Sequence, residues 1–170
     1  TLAFEVLSTL RVDAETRILL VRELSQAAGT VGGMIAGQVH DIEGERQPPT
    51  ATLLDSIHHA KTGALLRASV RLGAIYAAAP ENELAALTRY GEHLGLAFQI
   101  IDDVLDVEQS SDTLGKTAGK DEAQQKITFP AVYGLEKSRR MAMMERESAH
   151  EALEILGSRA DRLRQIADFV

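Results

Sequence analysis

The residues whose types and spacing best suit chemistry lie in the run Phe98-Gln99-Ile100-Ile101-Asp102-Asp103-Val104-Leu105-Asp106. At about 100° per residue, Gln99, Asp102, Asp103 and Asp106 share one sector of a helix, and Leu94, Phe98, Ile101 and Leu105 form an apolar stripe beside it. Like charges one turn apart each cost a few tenths of a kcal/mol. A carboxylate cluster packed against a core therefore asks for a compensating cation, most simply Mg²⁺ held through oxygen ligands. An EF-hand loop is excluded, because the alternating Asp or Asn positions, the turn Gly and the later Glu are missing.

Downstream, Ser110-Ser111-Asp112 is expected to end this helix, and a loop then offers Gly115-Lys116, Gly119-Lys120-Asp121 and Lys126 before Phe129-Pro130. Carboxylates that hold Mg²⁺, followed by ammonium groups on a loop, make a site for a diphosphate: the metal bridges protein and phosphate oxygens and lysine neutralises the remaining charge. A P-loop around Gly115-Lys116-Thr117 is ruled out, since position 110 is Ser where that motif requires Gly and an acidic helix precedes it.

These residues resemble the trans-isoprenyl diphosphate synthase (polyprenyl synthetase) family, the short-chain farnesyl and geranylgeranyl diphosphate synthases in particular. Gly95 to Asp106 is similar to the family's second aspartate-rich motif, and Leu114 to Asp121 followed by Lys126 to Pro130 is similar to its trailing lysine loop. Gly37-Gln38-Val39-His40-Asp41-Ile42 resembles the family's Gly-Gln segment, and His59-Ala60-Lys61-Thr62-Gly63-Ala64-Leu65 its Lys-Thr helix. The four motifs follow one another in the family's order across most of the chain.

The resemblance implies an all-α, isoprenoid synthase-type helical bundle. It also exposes a departure: the family's first aspartate-rich motif, with its Arg pair, is not found, and the opening Thr1 to Leu7 resembles a helix downstream of it. Residues 1–170 are therefore expected to be one domain, the C-terminal portion of a longer synthase lacking its N-terminal helices and inactive by itself.

By resemblance, the reaction is ionisation, condensation and elimination between an allylic diphosphate and isopentenyl diphosphate. Asp102 would bind Mg²⁺ directly, with Asp103 and Asp106 ligating through water or orienting it. Lys61, Lys116 and Lys126 would pair with diphosphate oxygens, while the Thr62 hydroxyl and the Gln99 carbonyl turn negative dipole ends toward the allylic carbocation. Asp41 and Gln38, three apart on one face, are expected to act indirectly or to pair locally. Homodimerisation is inherited from the family. Two alternatives stay open: a non-catalytic partner subunit of a heteromeric synthase, and a class I terpene cyclase, whose second metal motif mixes Asn or Asp with Ser or Thr and Glu at wider spacing.

Composition agrees. A hydrophobic fraction of 45% with few aromatics suits a helical domain, and the net charge of -7 argues against a nucleic-acid surface. No Cys is present, so disulfides and thiol catalysis are excluded. No apolar run approaches the ~20 residues of a membrane span and no signal peptide is visible, so a cytoplasmic location is expected.

The elements that must position these residues are helices between short breakers, with nothing that reads as a strand. Ala14 to Ala28 carries Ile18, Val21 and Leu24 at helical spacing, and the glycine-rich run from Gly29 to Gly33 precedes a second helical piece. Thr50 is placed to cap the next helix. Pro80-Glu81-Asn82 opens the long helix that carries the aspartates, Pro130 opens another, and Glu136 to Arg146 is a solvated face. Leu153, Leu156, Leu163 and Ile166 are assigned to the core. His58 and His59, adjacent on a helix, point to different faces and do not share a metal.

Overall fold

Three helix starts are set by side chains that accept the orphan backbone N–H groups of a first turn. Asp13 accepts from the Thr16 amide at 2.8 Å, Thr50 from that of Leu53 at 3.3 Å, and Thr128 from that of Ala131 at 3.3 Å. Each such cap contributes about 1 kcal/mol. A computed structural model of the chain describes residues 1–45, 47–112 and 127–170, with 109–112 described by their backbone alone.

In chain order the elements are α1 (Leu2–Thr9), α2 (Ala14–Ala28), α3 (Met34–Gly44), α4 (Ala51–His58), a π-helical turn (His59–Gly63), α5 (Ala64–Tyr76), α6 (Glu81–Asp112), α7 (Phe129–Tyr133), α8 (Leu135–Ala152), a 3₁₀ stretch (Glu154–Ala160) and α9 (Asp161–Phe169). Among the described residues there is no strand, so the fold is all-α. Helix α6 is described as far as Asp112, the last residue of the Ser110-Ser111-Asp112 run.

The 32-residue helix α6 is the axis of the bundle. It packs on α5 along one side and on α8 along another, while α2 covers α5 and α3 crosses the π turn. Small residues line these crossings. Ala27, Ala64 and Ala68 form one contact cluster, and a Cβ built on Gly91 or Gly95 would stand 2.7 Å from the Arg67 Cα or 2.9 Å from the Gly63 Cα. The abundance of Ala and Gly thus serves close helix approach.

Two larger clusters sit on α6. One joins Tyr90 and Leu94 to Ala149, Leu153, Leu156 and Ala167; the other joins Ile100 and Val104 to Leu54, Ile127, Phe129 and Ala142. Burying each large aliphatic side chain contributes roughly 1.5–3 kcal/mol. The Tyr90 hydroxyl donates to the Leu163 carbonyl at 2.7 Å, which fastens α9 to α6.

The buried seam of α6 is only partly the one expected: Leu94 is buried and Ile101 packs against the second cluster, but the other two residues of the stripe are not buried. Phe98 is 46% and Leu105 45% exposed, and the seam runs instead through Ala86, Tyr90, Ala97, Ile100 and Val104. Ala97 and Ala86 carry too little apolar surface to stand out in a hydrophobic pattern, yet they allow α5 and α8 to come close. On α2 the same correction applies: Ile18 is 68% exposed and Leu20 is fully buried. In the tail, Leu153 and Leu156 are buried and Leu163 packs against them, but Ile166 is about half exposed.

Candidate active site

Helix α4 does not run cleanly into α5. Between them, His59 to Gly63 takes one turn of π-helix, which displaces the side chains on either side of it relative to a straight helix. Lys61 and Thr62 lie on this turn. Two glycines let neighbouring helices clamp it. A Cβ on Gly37 of α3 would lie 2.1 Å from the Lys61 amide nitrogen, and one on Gly95 of α6 would lie 2.9 Å from the Gly63 Cα. The π turn is therefore held between α3 and α6 at backbone contact.

The side chains brought together are those of three helices. The Lys61 ammonium donates to the Asp41 carboxylate at 2.5 Å, which ties the turn to α3. One of its three N–H donors is used there and two remain. The Thr62 hydroxyl donates to the Gln99 carbonyl oxygen at 2.9 Å, which ties the turn to α6. Lys61 and Thr62 also line a groove of about 270 Å³ with Leu65, Leu66, Ser69 and Phe98. The Ser69 hydroxyl donates back to the Leu65 carbonyl, so this wall of the groove is apolar in character.

The aspartates divide. Asp102 is exposed and Asp106, one turn on, is half-buried, both on the open side of α6. Asp103 is only 5% exposed and faces the interior. Its carboxylate accepts from the Gln99 amide at 3.0 Å and from the Phe129 backbone N–H at 2.9 Å. The four residues therefore do not present one common face. Lys116 and Lys126 lie outside the described residues.

His58 sits beneath this network. Its ring stacks on Phe129 with centroids 5.2 Å apart, and its Nε2 is 3.6 Å from Asp103, beyond hydrogen-bond reach. Burial pushes the imidazole down to about 4, outweighing the Asp41 carboxylate that acts in the other direction. His58 is neutral at ordinary pH. His40 and His59 are exposed, and the two adjacent histidines do point apart.

Among the described residues, no three of His, Cys, Asp and Glu converge on a point that could hold a metal ion. The donor set that remains, Asp102 with Asp106 one turn away, matches a hard divalent cation bound by one or two carboxylates and completed by water and phosphate oxygens, rather than an all-protein cage. The ion pair of Asp41 with Lys61 and the tie of Asp103 to Phe129 lie beyond a reading of local spacing. The only local hint is Asp41 three residues after Gln38 on one helix face.

The all-α bundle has the architecture of the isoprenyl synthases. The chain belongs to the polyprenyl synthetase family, whose model it matches over residues 1–168. It is 40% identical to farnesyl diphosphate synthase of Escherichia coli over 177 residues, covering 100% of this chain and 59% of that protein. It is also 40% identical to geranylgeranyl diphosphate synthase of Cyanophora paradoxa over 171 residues, covering 99% of this chain and 57% of that protein. Among solved structures it superposes on geranyltransferase of Helicobacter pylori, crystallised with magnesium and isoprenyl diphosphate, with a TM-score of 0.78 and 30% identity, covering 97% of this chain and 54% of that one. The chain thus spans a little over half the length of these relatives.

Proposed function

We propose that this chain forms part of a Mg²⁺-dependent prenyltransferase that joins isopentenyl diphosphate to an allylic diphosphate, giving farnesyl or geranylgeranyl diphosphate. The observation that carries the reading is the pairing of Thr62 with Gln99 at 2.9 Å, next to Lys61 and at the mouth of an apolar groove. A polar end suited to phosphate and an apolar wall suited to hydrocarbon, side by side, support the reading.

Lys61 donates its two remaining N–H groups to diphosphate oxygens, held in place by Asp41. Lys116 and Lys126 add further positive charge from the segment that follows α6. Asp102 and Asp106 would hold Mg²⁺, which supplies charge neutralisation on the departing diphosphate. Thr62, whose O–H donates its hydrogen bond to the Gln99 carbonyl oxygen, turns oxygen lone pairs toward the groove, where they stabilise the positive charge of an allylic cation. Leu65, Leu66 and Phe98 keep water from that cation along the hydrocarbon chain. The active assembly is a homodimer, as in the family the sequence resembles, and no nucleic acid or membrane span takes part. Among the described residues no helix is long and apolar enough to cross a membrane.

The test is incorporation of labelled isopentenyl diphosphate by the complete gene product, supplied with dimethylallyl, geranyl or farnesyl diphosphate in turn, with product length read by chromatography. Mg²⁺-dependent incorporation is expected, and the longest product names the synthase. Absence of incorporation with every allylic partner contradicts the reading and favours a non-catalytic partner subunit.

A further inference from the structure

We infer that Asp103 is a positioning residue and not a metal ligand: its carboxylate decides which way the Gln99 carboxamide faces, and it ties the backbone that follows the lysine-bearing segment to the same helix. The inference rests on the prenyl-transfer reading for its consequence, while its geometry stands independently.

A carboxylate can only accept hydrogen bonds. Asp103 Oδ1, one turn beyond Gln99 on α6, therefore requires the NH₂ end of that side chain, and receives it at 3.0 Å. The Gln99 oxygen is left at the opposite end, where the Thr62 hydroxyl donates to it at 2.9 Å. Thr62 has one proton to give, and with that proton directed at Gln99 its hydroxyl meets the groove with lone pairs. Reversing the carboxamide would reverse this: Gln99 would donate to Thr62, and Thr62 would turn its O–H toward the groove. The sign of the dipole facing a developing cation is thus set by a side chain that does not touch the groove.

The second oxygen has a separate task. Asp103 Oδ2 accepts from the backbone N–H of Phe129, the first residue of α7, at 2.9 Å. Phe129 and Ile127 are both buried in the cluster with Ile100 and Val104. The residue just before Ile127 in the sequence is Lys126. Asp103 thus fixes the backbone three residues after that lysine in the sequence. A metal ion at this carboxylate would have to share both oxygens with hydrogen bonds already made, at a place nearly closed to water. Asp102, next in sequence and exposed, has no such obligation.

Three variants of the complete gene product test this by activity: Asp103→Asn, the double variant Gln99→Glu with Asp103→Asn, and Asp102→Asn. In Asp103→Asn two NH₂ groups oppose each other, and kcat should fall by about 100-fold with the half-saturating Mg²⁺ concentration unchanged. Asp102→Asn should instead raise that concentration. The double variant restores the donor order. The carboxamide introduced at position 103 donates to the carboxylate introduced at position 99, that carboxylate accepts from Thr62, and the new carboxamide oxygen still accepts from Phe129. This variant should recover at least about tenfold of the activity lost in Asp103→Asn, a rescue that a general loss of packing would not give. Independently of activity, amide hydrogen exchange at Phe129 should accelerate in Asp103→Ala and not in Asp102→Ala. A raised Mg²⁺ requirement in Asp103→Asn, no rescue in the double variant, or an unchanged Phe129 amide in a folded Asp103→Ala would each overturn the inference. If the wild-type protein incorporates no isopentenyl diphosphate, the prenyl-transfer reading fails, and the Phe129 exchange still decides the geometry.

Discussion

Gly37 of α3 touches the backbone of Lys61: a Cβ added to the glycine would stand 2.1 Å from the Lys61 amide nitrogen and 2.5 Å from its Cα. No side-chain rotation relieves such a contact, because both partners are main chain. The π turn and α3 would have to separate by about 1.5 Å to restore ordinary van der Waals spacing. Gly37→Ala is therefore expected to lower stability by about 1–3 kcal/mol and activity by up to about 100-fold, since Lys61 moves with its backbone. Denaturant unfolding and steady-state kinetics on the same preparation check both effects.

Asp41 makes the complementary contact from the side-chain end. Its carboxylate holds the Lys61 ammonium at 2.5 Å and is largely buried itself. A charge-assisted hydrogen bond of this kind contributes about 1.5–3 kcal/mol, so Asp41→Ala is expected to reduce kcat/KM for the allylic diphosphate by about 10- to 150-fold. Asp41→Asn keeps an acceptor in place and should lose less. Equal losses in the two variants would show that the carboxylate charge, not the placement of Lys61, is what matters.

His58 predicts how stability depends on pH. Its folded-state pKa, lowered by burial to about 4, lies below the value near 6.5 that it takes in the unfolded chain. Between these values the unfolded chain binds more protons, so stability is full above pH 6.5 and falls as the pH drops toward 4. The loss from this residue is at most about 3 kcal/mol. Asp13, held low by the Thr16 amide, and Glu83, held low by Arg159, contribute only further into acid. Unfolding free energies of the wild type and His58→Gln measured from pH 7 to pH 4.5 should converge as the pH falls.

Tyr90 offers a control away from the site. Its hydroxyl is the link from α6 to the Leu163 carbonyl, and burial pushes its pKa up to about 12, so it remains a donor throughout the accessible range. Tyr90→Phe removes one hydrogen bond and leaves the carbonyl without that donor. A loss of about 1–2 kcal/mol, or about 2–6 °C in Tm, is expected with kcat unchanged. Thermal unfolding and kinetics together separate this from the effects at Lys61.

Much of this organisation is written locally. Thr50 caps its helix as its type and position suggest, the long aspartate-bearing helix begins after Pro80, and Lys61, Thr62 and Gln99 are brought to one place. What local spacing could not supply is of one physical kind. A π turn is a choice of backbone partner that no residue type announces, and it is stabilised here by glycines on two other helices. Asp103 looks identical to Asp102 along α6; it turns inward because Phe129, distant in sequence, brings an N–H donor to that side. The seam of α6 bypasses Phe98 and Leu105 because periodicity weighs side-chain size, whereas close helix crossings select the small Ala97.

The most direct test of the central claim is turnover of labelled isopentenyl diphosphate by the complete gene product and by its Asp102→Ala variant, side by side, with circular dichroism to establish that both are folded. The wild type should be active with Mg²⁺ and silent in excess chelator, and the folded Asp102→Ala protein should show no turnover. A folded Asp102→Ala protein with wild-type activity would contradict the account.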